Sequence, residues 1–245
     1  MGQLAMFRQK SAPLPEAIDL RNVDAAEMLA SVPAGSADLV IADPPWDAYT
    51  LNMGVVDASK IYPVQNHQQI ADILALAVNV LRPGGRLAMW CCWPLVVEAL
   101  KPDRMLPHMM VGRPWLQVPG LRWVSGGSWV KHGGPPGVGY HWRGHSEPVL
   151  LGVRDGGAAG RAATVLPSGH TSMPGQHSRK PVEWQRDWVR AWVEPGGLVV
   201  DPYAGLGSVA SAVALAGEGR RYIGSELSED RYLRARAMVC REVAL

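Results

Sequence analysis

The sequence predicts an α/β fold, a mostly parallel sheet with helices on both faces. Three observations carry this expectation. Short apolar runs alternate along the chain with amphipathic stretches of helical period. Pro and Gly punctuate the boundaries between them, because one lacks an amide donor and the other tolerates positive φ. Apolar residues make up 47% of the 245-residue chain and charged residues 19%, a balance that fills one core with a modest insertion rather than leaving the chain unstructured.

In chain order, residues 1–15 read as a tail. Residues 18–22 form a short strand ending at Asp24, and 25–31 a helix. The apolar run 38–42 is a buried strand, and Asp43-Pro44-Pro45-Trp46 ends it because two prolines supply no ladder donor. Residues 47–62 are polar and loop-like. An amphipathic helix at 68–81 is stopped by Arg82-Pro83-Gly84-Gly85, with the next strand at 86–91. Residues 102–120 hold many Pro and Gly and little period, so they form an irregular excursion. Strands at 123–130 and 148–153 flank a Gly-rich loop at 133–139, and 155–177 is a small, polar loop. Pro181 opens a helix reaching Val193, as suits proline in a first helical turn. Trp184, Trp188 and Trp192 form a stripe on that helix, read as core or subunit interface. A strand at 198–200, a Gly turn, a helix at 208–216, a strand at 222–224 and a helix at 229–239 complete the pattern.

Several classes are excluded at this level. No apolar run reaches the roughly 18 residues of a membrane-spanning helix, and residues 1–10 lack the apolar stretch of a signal peptide. Cys91, Cys92 and Cys240 make a poor disulfide set, so a reducing compartment, the cytoplasm, is expected, with no membrane partner. His141 and His145 are four apart but lie in a Gly-containing loop without an intervening Glu, and Cys91-Cys92 lacks zinc-site spacing, so no metal is expected. Net charge is only +2, yet residues 81–190 carry fourteen Lys/Arg against six Asp/Glu. Four of the seven His and six of the ten Trp lie between Trp90 and His145. Cations for phosphates interleaved with flat rings for bases fit a nucleic-acid surface, against the plainer reading of a solvated basic face over a Trp-rich core.

Two motifs carry chemistry. The first runs Asp201-Pro202-Tyr203-Ala204-Gly205-Leu206-Gly207-Ser208, from a strand end through a Gly-rich turn into a helix start. Glycines let the backbone approach a ligand, the helix start presents free amides, and Glu226 after the next strand can accept hydrogen bonds from ribose hydroxyls. The spacing suits a nucleoside and not an ATP-type phosphate loop. The second is Asp43-Pro44-Pro45-Trp46. It offers a carboxylate, proline carbonyls as acceptors and a stacking face, a set that suits a planar amino group.

Together these motifs resemble the β class of amino-methyltransferases, in which the catalytic motif precedes the cofactor motif. The likeness spans about residues 18–239. Asn22-Val23-Asp24-Ala25 resembles the segment whose acid contacts the cofactor's adenine, residues 81–86 the turn before the following strand, and His177-Ser178-Arg179-Lys180-Pro181 the segment covering its methionine part. The middle is similar to the messenger-RNA adenosine methyltransferases through Tyr62-Pro63, Ser128-Trp129-Val130-Lys131, and Gly139-Tyr140-His141-Trp142-Arg143 leading to His145 and Glu147. Those enzymes usually lack the full Gly-x-Gly turn that this chain has, which points toward DNA.

The resemblance implies one Rossmann-like, seven-stranded, mostly parallel methyltransferase sheet over 1–245, with a small target-recognition insertion at about 94–145. It implies S-adenosylmethionine as cofactor, held by Asp24, Lys180, Asp201, Tyr203, Ala204, Gly205, Gly207, Ser208 and Glu226. The implied reaction is site-specific methylation of adenine N6 in DNA, as in restriction-modification systems, with Asp43, Pro44, Pro45 and Trp46 catalytic. The adenine is flipped from a duplex, and Lys131, Arg143 and His145 contact nucleic acid. A homodimer is compatible, and the setting is the nucleoid of a bacterial or phage-infected cell. The alternatives are an RNA adenosine methyltransferase, a cytosine N4 enzyme, which a Ser at position 43 would have favoured, and an inactive nucleic-acid-binding subunit.

Overall fold

The computed structural model describes residues 13–45, 65–91, 117–130, 146–156 and 179–244. At its centre lies β2 (Ala37–Ala42), whose last four residues are all buried. Period-two alternation sends Leu39 and Ile41 into one core cluster and Val40 and Ala42 into the other, so the strand is apolar throughout. β1 (Ile18–Arg21), β3 (Leu81–Trp90), β4 (Leu121–Val130), β5 (Ser146–Arg154), β6 (Leu198–Asp201) and β7 (Arg221–Ser225) complete one seven-stranded sheet, in the order β1-β7-β6-β2-β3-β5-β4. β1, β7, β6, β2 and β3 run parallel, and β5 lies antiparallel to both β3 and β4. The expected α/β class and mostly parallel sheet are observed.

Helices α1 (Ala25–Ser31) and α2 (His67–Val80) cover one face, and α3 (Val182–Trp192), α4 (Ser208–Ala216) and α5 (Glu229–Val243) the other. Each start has a local cause. Asp24 caps α1 through a bond from the Ala26 amide, and Asn66 with Gln69 forms a reciprocal capping box on α2. The Trp stripe of α3 is buried core. Trp188 and Trp192 stack, Trp184 and Trp188 meet at a tilt of 54°, and the latter two meet Trp90 of β3 at 6.5 and 5.7 Å between ring centroids.

The elements that depart furthest from the sequence expectation are β3 and α5. β3 begins at Leu81, so Arg82-Pro83-Gly84-Gly85 lies within the strand as a bulge. The register shifts between Ala37↔Leu81 and Leu39↔Arg86, Gly84 takes φ 76°, and the Arg82 guanidinium bonds Asp38 at 2.6 Å. α5 runs four residues past the expected end at 239, and Glu242 in its last turn pairs with Arg179. Of the range 94–145 expected as target-recognition insertion, 121–130 is the edge strand β4. Among the described residues no helix is long and apolar enough to cross a membrane.

The order of connection positions the site. From β2 the chain crosses through α2 to β3 on one side, and from β6 through α4 to β7 on the other. β2 and β6 are therefore neighbours whose following loops part in opposite directions, opening a crevice at their C-terminal ends.

Candidate active site

That crevice is a cavity of about 370 Å³ lined by the ends of β1, β2, β3, β6 and β7 and by the segment entering α3. Residues far apart in sequence meet here because their strands pair: Asp43 follows β2, and Asp201 ends β6. Of the sequence-derived set, Asp24, Asp43, Pro44, Pro45, Lys180, Asp201, Tyr203, Ala204, Gly205, Ser208 and Glu226 all line the cavity. Gly207 does not. It precedes α4 with φ 76°, and a Cβ there would meet Val239 and Ala235 of α5 at 3.1 and 3.2 Å, so its role is in the turn and in helix packing. Trp46, Lys131, Arg143 and His145 lie outside the described residues.

At one end of the cavity sits the Gly turn. Gly205 has φ 55°, and a Cβ there would meet nothing nearer than the Tyr203 carbonyl at 3.9 Å, so open space faces this backbone. Glu226, after β7, accepts from the Ser228 amide at 2.8 Å. Burial pushes its carboxyl above the usual range, against backbone amides of Ser228, Gly205 and Leu227 and the Arg231 guanidinium, which lower it. Asp24 also borders the cavity while one of its oxygens caps α1. Beneath the turn, Asp201 is 2% exposed and accepts from the Tyr203 amide at 3.0 Å and the Tyr222 hydroxyl at 3.2 Å. Burial outweighs both bonds and pushes its carboxyl up to about 7.

At the other end is a charge cluster. Asp43 Oδ2 pairs with Lys180 Nζ at 2.9 Å, and Lys180 also reaches Glu147 Oε2 of β5 at 3.0 Å. The ammonium sits 5.4 Å from the centroid of the Trp90 ring. Burial would lower the Lys180 ammonium, but Asp43 and Glu147 raise it, so it stays charged. Asp43 is held above the ordinary carboxylate range by burial, with Lys180 opposing the rise and Glu147 adding to it. Lys180 is thus a single cation set between two carboxyl groups at the cavity. Expected on the cofactor's side, Lys180 is engaged with Asp43.

The two ends are tied together. The Tyr203 hydroxyl donates to Gln65 Oε1 at 2.7 Å, and the Gln65 amide donates to the Pro45 carbonyl at 2.9 Å. That bond occupies the Pro45 carbonyl. Sequence reasoning assigned no role to Gln65, Trp90, Glu147 or Arg231, all of which line the cavity. Only Glu147 carried a signal, inside the segment resembling the RNA enzymes; the others arrive through strand pairing and have no local mark.

Comparison with known proteins follows the same lines. Residues 155–236, which hold the Gly turn and Glu226, match the N6/N4 family described as DNA methylase. No curated protein matches the chain. Among solved structures, the chain is similar to M1.HpyAVI in complex with SAM, at 16% identity and TM-score 0.61, covering 93% of this chain and 100% of that one. It is similar to TTHA0409, a putative DNA modification methylase from Thermus thermophilus complexed with S-adenosyl-L-methionine, at 24% identity and TM-score 0.58, covering 92% and 95%. The cytosine-N4-specific PvuII DNA methyltransferase matches at 15% identity and TM-score 0.62, covering 96% and 94%. At these identities the likeness establishes the fold, the seven-stranded α/β sheet of these methyltransferases.

Proposed function

We propose that this chain is an S-adenosylmethionine-dependent DNA methyltransferase that modifies the exocyclic N6 amino group of adenine. The observation that carries the reading is the meeting of Asp43-Pro44-Pro45 with the Gly205 turn and Glu226 in one cavity at the β2/β6 strand ends. The DNA methylase match over residues 155–236 and the SAM-bound structures of similar fold support it.

The residues present fit a nucleoside cofactor. The open space against Gly205 admits a ligand close to the backbone, and Glu226 offers an acceptor beside it for ribose hydroxyls. When bound, the cofactor supplies an activated methyl group on a sulfonium. The chain's own part is to bind and orient the acceptor. The amino nitrogen of adenine is a poor nucleophile because its lone pair is delocalised into the ring. Asp43 Oδ1, which lies across the carboxylate from the Lys180 bond, and the Pro44 carbonyl would accept its two hydrogens and favour a tetrahedral nitrogen. The Asp43 carboxylate would stabilise the positive charge that develops on that nitrogen as the methyl leaves sulfur, and would take up the proton the nitrogen then gives up, while the cavity aligns the reactants. Trp46 would stack on the flipped base, with Lys131, Arg143 and His145 on the nucleic acid.

The test is methyl transfer from labelled S-adenosylmethionine to matched duplexes in which adenine or cytosine is the only acceptor, with an RNA arm. Label on adenine in DNA is expected. Label on cytosine alone would replace the reading with N4 methylation, and label on RNA alone with an RNA enzyme. Asp43→Ala should remove transfer while calorimetry finds cofactor binding retained. Near-normal turnover in that variant would remove Asp43 from the reaction.

A further inference from the structure

Lys180 can sit between Asp43 and Glu147 only if its backbone is held in place, and the structure shows what holds it. Immediately before it, Arg179, which also lines the cavity, forks onto α5. Its two terminal nitrogens meet Glu242 Oε1 and Oε2 at 2.7 Å each, and one also reaches Ser211 Oγ of α4 at 3.3 Å. The Arg179 side chain is 9% exposed, and its hydrogen bonds hold the Glu242 carboxyl below the usual range despite burial. A two-pronged bond of this kind fixes direction as well as distance. Immediately after Lys180 stands Pro181, with φ −65°, at the N-cap of α3. The lysine is thus anchored on both sides, by the fork to α4 and α5 and by the helix start.

We propose that the Arg179–Glu242 fork is a positioning device for methyl transfer, with Glu242, near the end of α5 and outside the cavity lining, setting the Lys180 ammonium between Asp43 and Glu147. The charged groups around Asp43 are Lys180 before α3, Glu147 on β5, Arg231 on α5 and Asp201 at the end of β6. Two of these are carboxylates and Arg231 is a weaker influence than Lys180. If the fork is lost and the ammonium drifts, burial and Glu147 act on Asp43 with less opposition. Asp43 then keeps its proton to higher pH, and a protonated carboxyl is a poorer acceptor for an amino group. The kinetic consequence rests on the proposed function; the titration of Asp43 does not.

The experiment compares wild type, Glu242→Gln, Arg179→Lys, Lys180→Met and the Lys180→Met/Glu242→Gln double variant. Carboxyl-carbon NMR follows the Asp43 titration, initial methylation rates are read against pH, and thermal unfolding monitors the fold. In Glu242→Gln the Asp43 midpoint should move upward, in the same direction as in Lys180→Met. Its activity loss should be largest at the acid end of the pH profile and fade at the alkaline end, where Asp43 is ionised in both proteins. The double variant should move no further than Lys180→Met, because both changes act through one ammonium. An unmoved midpoint in a folded Glu242→Gln protein, or full additivity in the double variant, would overturn the proposal. Should Glu242→Gln not fold, Arg179→Lys decides, since it keeps the charge and loses the fork. If wild type methylates no nucleic acid, the proposed function falls, and the Asp43 titration still decides the fork.

Discussion

A carboxylate shut away from water at the base of a cleft weakens the fold when it ionises. Asp201 is such a group, raised to about 7 from an ordinary 3.8 by burial that the Tyr203 and Tyr222 bonds do not offset. In the unfolded chain it ionises at its ordinary value. Between the two values the folded state binds a proton that the unfolded state has released, so this group's contribution to stability falls as pH rises through that window. Asp201→Asn removes the cost. The variant's stability relative to wild type should therefore rise from about pH 4 to about pH 7 and level off above, by an amount on the order of a few kcal/mol. Denaturant titration across that range checks it, and a pH-independent difference would mean that Asp201 stays ionised in the folded protein. Glu226 tests the other side of the same turn. Glu226→Ala should weaken S-adenosylmethionine binding by about 1.5–3 kcal/mol, the range for hydrogen bonds to a charged group, as read by calorimetric titration. Unchanged affinity would place the ribose contact elsewhere.

At the scale of elements, the junction of β6 and α4 separates two glycines that look alike in the sequence. Both take positive φ, at a cost to alanine of about 1–2 kcal/mol. Gly205 faces open space, whereas a Cβ at Gly207 would press on Val239 and on both the Cβ and carbonyl of Ala235 in α5. Gly207→Ala should thus lose clearly more stability than Gly205→Ala in chemical denaturation, while Gly205→Ala should be the one that weakens cofactor binding. Equal losses would remove the packing argument. The sequence pattern placed α1 and α4 at their observed bounds, because each is set by a local cause, Asp24 as cap and Gly207 as a left-handed turn. It missed the true start of β3, because Pro and Gly read as a stop, and only pairing with β2 through a bulge makes them strand.

On the scale of the whole molecule, charge is distributed unevenly. From Arg82 to His145 there are eight Lys/Arg and two acids, with Trp among them. If Lys131 and Arg143 contact phosphates, replacing both by Ala should weaken DNA binding and lower the salt slope of log affinity by about 0.9 per lost contact, with cofactor affinity spared. Binding measured at several salt concentrations checks this, and an unaltered slope would move the DNA surface away from this segment. The alternation of apolar runs with amphipathic helices was enough to set the fold class, since burial periodicity is a local property of the chain. The placement of the Gly turn, Glu226 and Asp43 at strand ends was legible for a similar reason, since each follows a short apolar run. Strand order was not legible. Pairing of β2 with β6 brings Asp43 beside Asp201, and pairing of β3 with β5 places Trp90 and Glu147 around Lys180. Such pairings are decided by which faces bury together across the whole chain, so the cluster around Asp43 and the fork that holds Lys180 exist only in the tertiary structure.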